Sequence, residues 1–178
     1  MRILAVLVVS LMLSACSTTL PINYVPSTSV RGTSPVKVSA FRYLPAEQQL
    51  VAPNQFQKYP VSIGEIYLGE DVSHLVESAV RKELSYAGYQ LNDSADVIVS
   101  GDVSRFYYDW TGFVEVNFEV GIAFRVTKNG KVALESTTFS HQKAPKGTGL
   151  AQNPEAIRAA ISDCIDQFLS EARKVSVL

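Results

Sequence analysis

The chain has 178 residues, 47% of them apolar and 19% charged, with a formal net charge of −1. That length suits one domain with a core of its own, which needs no disulfide scaffold. The composition excludes a disordered chain, and the absence of a basic excess argues against phosphate neutralisation, hence against a nucleic-acid partner.

Met1-Arg2 is a short basic start, and Ile3 to Leu13 is apolar except for Ser10. Such a run fits the apolar region of an export signal, about 7–15 residues, and falls short of the roughly 20 needed to span a bilayer. It ends in Leu13-Ser14-Ala15-Cys16. This tetrapeptide resembles the lipobox of bacterial lipoproteins. The resemblance implies cleavage after Ala15, a thioether-linked diacylglycerol on Cys16 and acylation of the new amino terminus. The alternative is an ordinary signal peptide cut elsewhere, with Cys16 a spare thiol. One acyl chain anchors marginally, at about 0.8 kcal/mol per buried CH₂, whereas three would hold the protein on the membrane. Ser17, not an aspartate, follows the cysteine. In lipoproteins of diderm bacteria that resembles the signal for transfer to the outer membrane.

Residues 1–15 are therefore read as a signal peptide, 16–34 as a lipidated cysteine and tether, and 35–178 as one α+β periplasmic domain. The stretch from Ser17 to Pro35 is rich in Ser, Thr and Pro. As a flexible coil it would span about 25 Å. Leu20, Ile22, Tyr24 and Val25 leave open that part of it packs along the domain.

Val36–Phe41 alternates in the β manner, with Val36, Val38 and Ala40 on one side. Leu44–Pro60 carries three prolines and no period, and reads as a loop and a second candidate surface. "VSIGEIYLG" returns briefly as a strand. Asp71–Tyr89 is a helix with one apolar stripe through Val72, Leu75, Val76, Ala79, Val80, Leu84 and Ala87. Asp71 is placed to cap it and Gly88 to supply the left-handed residue at its end. Ala95–Trp110 is a strand in which Gly101 marks a bulge or bend. Val114, Val116, Phe118, Val120, Ile122, Phe124 and Val126 alternate without a break, the pattern of a long strand with one buried face. Asn129-Gly130 predicts a type I′ turn, so Lys131–Ser140 folds back antiparallel. Asn153-Pro154 opens a last helix with a continuous stripe from Ala156 to Ala172.

The order is β-α-β-β-β-α. One-faced strands and helices predict an α+β fold, a four-stranded, mainly antiparallel (mixed) sheet with two helices packed on one face. The first crossover allows parallel pairing of the first strand with the second or a neighbour.

Little in the chain names a chemistry. Cys164 falls on the buried stripe of the last helix, where cysteine acts as a small hydrophobe. His74 and His141 have no Cys or carboxylate at ligand spacing, so no metal site is expected. No serine stands in a Gly-x-Ser-x-Gly elbow, and "PKGTGL" lacks Walker spacing. No cofactor and no catalytic residue are expected. The unusual patch is "RFYYDWTGF" (Arg105–Phe113), five aromatics in nine residues. Alternation must bury some of them; Tyr108, Trp110 and Phe113 are the candidates for an exposed partner surface.

With "LVESAVRKELSYAGYQL", "ADVIVSGDVSRFYYD" and "PEAIRAAISDCIDQFLSE" following the lipobox, the chain resembles the YajG family of outer-membrane lipoproteins. Its element order is also similar to LptE and to auxiliary lipoproteins of envelope ABC transport systems. The resemblance implies an outer-membrane lipoprotein and, by fold analogy alone, a role beside envelope transport systems. The first reading of the chain is an anchored, periplasm-facing, non-enzymatic accessory protein that docks an envelope protein partner through the exposed sheet face or the aromatic hairpin. Two other readings stay open: a carrier holding lipid between helices and sheet, and an envelope hydrolase using an undetermined carboxylate pair.

Overall fold

The computed structural model describes residues 17–60, 64–110, 114–146 and 153–178. Ala15, Cys16 and Phe113 lie outside these residues. The elements run β1 (Ser17–Leu20), β2 (Pro35–Tyr43), α1 (Leu44–Glu47), β3 (Gln57–Lys58), β4 (Glu65–Leu68), α2 (Val72–Ala87), β5 (Gln90–Leu91), β6 (Val97–Asp109), β7 (Glu115–Lys128), β8 (Lys131–Pro145) and α3 (Asn153–Lys174). The fold is α+β with a mixed sheet of six strands in place of the expected four. Its order is β5-β2-β6-β7-β8, with β3 continuing the line of β2 along β6. β1 and β4 form a separate parallel pair.

The expected four strands are β2, β6, β7 and β8. β2 runs parallel to β6, as the intervening helix allows, and β6-β7-β8 is an antiparallel meander. Asn129 and Gly130 have φ of +52° and +74°, and Lys128 pairs with Lys131, which closes the two-residue turn. Six of the seven alternating positions of β7 are buried; Val114 precedes the strand and is 72% exposed. Ala40 is exposed, against expectation, because β2 is bulged between Val38 and Phe41 and the phase of alternation changes there. Arg81 Nη2 donates to the Val38 carbonyl at this bulge (2.7 Å). Gly101 itself is not bulged. Its missing Cβ makes room for the Phe41 ring and the Ala123 carbonyl, which a methyl group would meet at 2.6 and 2.8 Å.

α2 packs on β2, α3 on β7 and β8, and the helices touch each other on the same face. Gly88 (φ +97°) ends α2 in a Schellman motif, with Tyr89 N–H bonding Leu84 O and Gly88 N–H bonding Ser85 O. Asp71 holds the N-cap position, but its side chain makes no capping bond. The layer between helices and sheet is filled by large side chains. Phe124 and Phe168 stack at 4.3 Å, and Cys164 donates to Val120 O at 3.4 Å. On β8 the inward residues are Ser136, Thr138 and Ser140, small enough to let α3 lie close.

Two segments depart from the sequence reading. Residues 17–34 are not a free tether. After β1 the chain continues as an extended strap against the helices, with Leu20, Tyr24 and Thr28 buried and Ile22, Pro26 and Val30 half-buried. The Leu44–Pro60 stretch is likewise no simple loop. It contains α1 and β3, and Phe56, 1% exposed, plugs one end of the core.

Candidate functional surface

β6 delivers the aromatic run to two faces in turn. Phe106 and Tyr108 point into the core, where Phe56 lies 4.3 Å from Phe106, 6.1 Å from Tyr108 and 6.0 Å from Phe118. Tyr108 is 1% exposed, and its hydroxyl donates to Gly64 O at 2.7 Å. Burial, then the charge of Glu65, raises its pKa above the ordinary phenol value. Tyr108 is therefore a core residue and not part of an exposed partner surface. Trp110 is half-buried, with Lys146 Nζ 5.0 Å over its ring and donating to its carbonyl (2.6 Å).

The residue that alternation turns outward is Tyr107. It lies on the face opposite the helices, 5.5 Å from Tyr59. Arg105 sits 4.5 Å over the Tyr107 ring, donates to Tyr59 Oη (3.1 Å) and pairs with Glu119 across the ladder (Nε–Oε2 2.6 Å). Beside them Phe139, 50% exposed, faces Gly121 on the neighbouring strand. His141 contacts Asn117 at 3.0 Å. The result is an aromatic and cationic patch on the open sheet face. Guanidinium over a ring is worth roughly 0.5–1 kcal/mol when exposed, and both groups favour contacts with other proteins.

The same face continues as a charged ladder. Arg42 forks onto Asp102 with two bonds of 2.7 Å, and Arg125 pairs with Glu135 at 2.8 Å. Between these pairs the small residues Ala40, Ser100, Gly101, Ala123 and Thr137 leave a depression of about 480 Å³. Exposed pairs of this kind add about 0.2–1 kcal/mol each. Their larger effect is to fix the positions of these charges on the sheet face.

A second polar cluster lies under the strap. Glu83, on the buried side of α2 and 0% exposed, accepts from the Tyr24 hydroxyl (2.6 Å), Ser27 N–H (3.1 Å), Thr28 N–H (2.9 Å) and Ser162 Oγ (3.3 Å). Lys82 and Arg158 hold the Tyr24 and Asn23 carbonyls at 3.1 and 3.0 Å. Burial, then the Glu83 hydrogen bond, raises the Tyr24 pKa. Nearby, Asp166 Oδ1 is buried without a hydrogen-bond partner. Burial raises the Asp166 carboxyl above its usual range; the Thr28 hydroxyl lowers it in part, and the charges of Glu83 and Asp163 raise it further.

A carboxyl whose folded pKa is raised binds its proton more tightly in the folded state. Asp166 therefore weakens the fold above its folded pKa. The penalty fades as pH falls through that value and is gone below the unfolded pKa of about 3.9. Asp166→Asn is expected to raise the thermal midpoint near pH 7 and to leave it close to wild type near pH 3. Thermal melts across pH check this.

Cys164 is fully buried, and burial pushes its thiol up to about 12, so it offers no thiolate. Among the described residues no group of three or more His, Cys, Asp and Glu is placed to hold a metal, and no helix is long and apolar enough to cross a membrane.

No family model and no curated protein matches the sequence. Solved structures do. A Xanthomonas campestris protein of family DUF330 superposes with a TM-score of 0.63 at 12% identity, over 91% of this chain and 97% of its own. An uncharacterized protein superposes at 0.53 with 11% identity, over 86% of this chain and 99% of its own. An uncharacterized lipoprotein B from Nitrosomonas europaea gives 0.47 at 11%, over 88% and 94%. At these identities likeness speaks for architecture alone, and the chain has the fold of the DUF330 protein.

Proposed function

We propose that this chain is a bacterial outer-membrane lipoprotein, cleaved after Ala15 and acylated on Cys16, whose periplasm-facing body is a non-enzymatic accessory protein of the cell envelope. It docks an envelope protein through the open face of its sheet. The Leu13-Ser14-Ala15-Cys16 sequence supports the anchor, and the resemblance to the YajG family belongs to the same reading. The observation that carries the docking role is the patch of Tyr59, Tyr107, Arg105 and Phe139 on a face that neither long helix covers. The filled layer between helices and sheet weighs against a lipid carrier.

Cys16→Ala is expected to leave an unacylated precursor and to abolish retention of a mature form on the outer membrane. Intact-mass measurement and membrane fractionation check it; normal retention of the variant would refute the anchor. The docking role is tested by cross-linking in intact cells, then purification in mild detergent. Arg105→Glu is expected to cut the cross-linked partner at least tenfold, about 1.4 kcal/mol. A protein that emerges alone, carrying stoichiometric phospholipid, would overturn it.

A further inference from the structure

The anchor and the body are separated by almost nothing. β1 begins at Ser17, one residue after Cys16, and is paired at once, Ser17 with Glu65. Cys16 is therefore bonded directly to a residue fixed in a ladder. The slack of the expected tether is absent, so the end of the molecule that holds Ser17 must sit at the level of the acyl chains' glycerol.

Strand directions identify what else is at that end. β1 and β4 both run away from it. β6 runs toward it: Tyr108, near the end of β6, bonds Gly64, just before β4. β3 runs parallel to β6, pairs Lys58 with Tyr108, and Lys58 Nζ donates to Gly64 O (3.1 Å). β7 starts there and β8 ends there, Glu115 pairing with Pro145. Just past these strand ends stand Trp110, Val114 and Lys146, joined by the bonds from Lys146 to the Trp110 and Val114 carbonyls. Val114 is exposed although apolar.

We propose that this end of the sheet is a membrane-contact surface, with Trp110 and Val114 seated among the lipid headgroups. The proposal rests on acylation of Cys16. An indole half-buried on the protein side, a lysine beside it and an exposed valine suit the interfacial layer, where tryptophan is enriched and a lysine stem keeps its charge in water. The flanking charges are of both signs, Lys58, Lys143 and Lys146 with Glu65, Asp109 and Glu115. The contact therefore draws on apolar and aromatic burial and needs no strongly anionic bilayer. Its effect is to hold the body in one orientation, the sheet standing on its end and its open face turned sideways into the periplasm.

Trp110 is the sole tryptophan, so it reports its own depth. The acylated full-length mature protein is reconstituted in vesicles of phosphatidylethanolamine and phosphatidylglycerol, with or without lipid spin-labelled near the headgroup. The expected result is loss of about half of the Trp110 emission or more to the shallow label, as for an interfacial indole. Trp110→Phe combined with Val132→Trp moves the reporter to the far end of the β7–β8 ladder, about 45 Å away at 3.4 Å per residue, and is expected to stay unquenched. Val114→Glu is expected to lower Trp110 quenching at least twofold without releasing the protein from the vesicles. Unquenched Trp110 on a protein that still floats with the vesicles overturns the contact surface and leaves the anchor standing. Equal quenching of both reporters overturns it too, because the body would then lie flat. Failure to float, with no acyl mass at the amino terminus, takes down the anchor and the contact together.

Discussion

Val120→Asp is expected to remove about 3–5 kcal/mol of folding stability. Val120 is 1% exposed, lies midway along β7 between Phe106 and Ser140, and its carbonyl takes the Cys164 thiol. Aspartate there would place a carboxylate between sheet and α3 with no cation among these neighbours. A domain of this size is stable by about 5–15 kcal/mol, so the change consumes much of the margin. Urea denaturation measures it. Val114→Asp, on the same strand pattern but exposed, is expected to stay within about 0.5 kcal/mol of wild type. Similar losses from both would show that the inward face of β7 is not what holds the layers together.

Glu83→Ala is expected to unlatch the strap. It removes the acceptor for the Tyr24 hydroxyl and for the Ser27 and Thr28 amides. A buried donor left unpaired costs about 1–3 kcal/mol. The strap can lift and let water in, which holds the total to roughly 2–4 kcal/mol. The signature is local. Amide exchange should rise at Ser27, Thr28 and Val30 and protease should nick near Pro26, while the amides of β7 stay protected. Glu83→Gln keeps one carbonyl oxygen and should lose less. Unchanged exchange at Ser27 and Thr28 in Glu83→Ala would show that the carboxylate does not hold the strap.

How far the sequence could be read depended on how long each periodic signal ran. β7 repeats its apolar residue from Val116 to Val126 and α3 repeats its stripe from Ala156 to Ala172, and both are where the pattern puts them. β3 and β5 have two residues each, too few to show any period, so two strands of the sheet could not be seen. The strap hid differently. Its inward residues Leu20, Ile22, Tyr24, Pro26, Thr28 and Val30 keep a strict period of two, but two are polar or proline and no partner strand follows most of them. A stretch so rich in proline, serine and threonine reads as solvated chain. Glu83 carried a legible signal, since it stands three residues after Val80 and four before Ala87, inside the apolar stripe of α2. A carboxylate in that place needs donors from another segment, and the strap supplies them. In the aromatic run, alternation alone selects Tyr107 for the surface once Phe106 is known to be core. Tyr59, just after β3, and Phe139, on β8, come from distant parts of the sequence that only the fold brings to the same face.

The strap also dictates an order of events in folding. Tyr24 and Ser27 precede both long helices in the chain, yet their seats belong to Glu83 and Ser162, 59 and 135 positions later. The strap must wait, unseated, until α2 supplies Glu83, and its bonds to α3 form only when that helix arrives. A chain arrested before α3 would leave this segment open to proteases, so closure of the strap reports that α3 is in place.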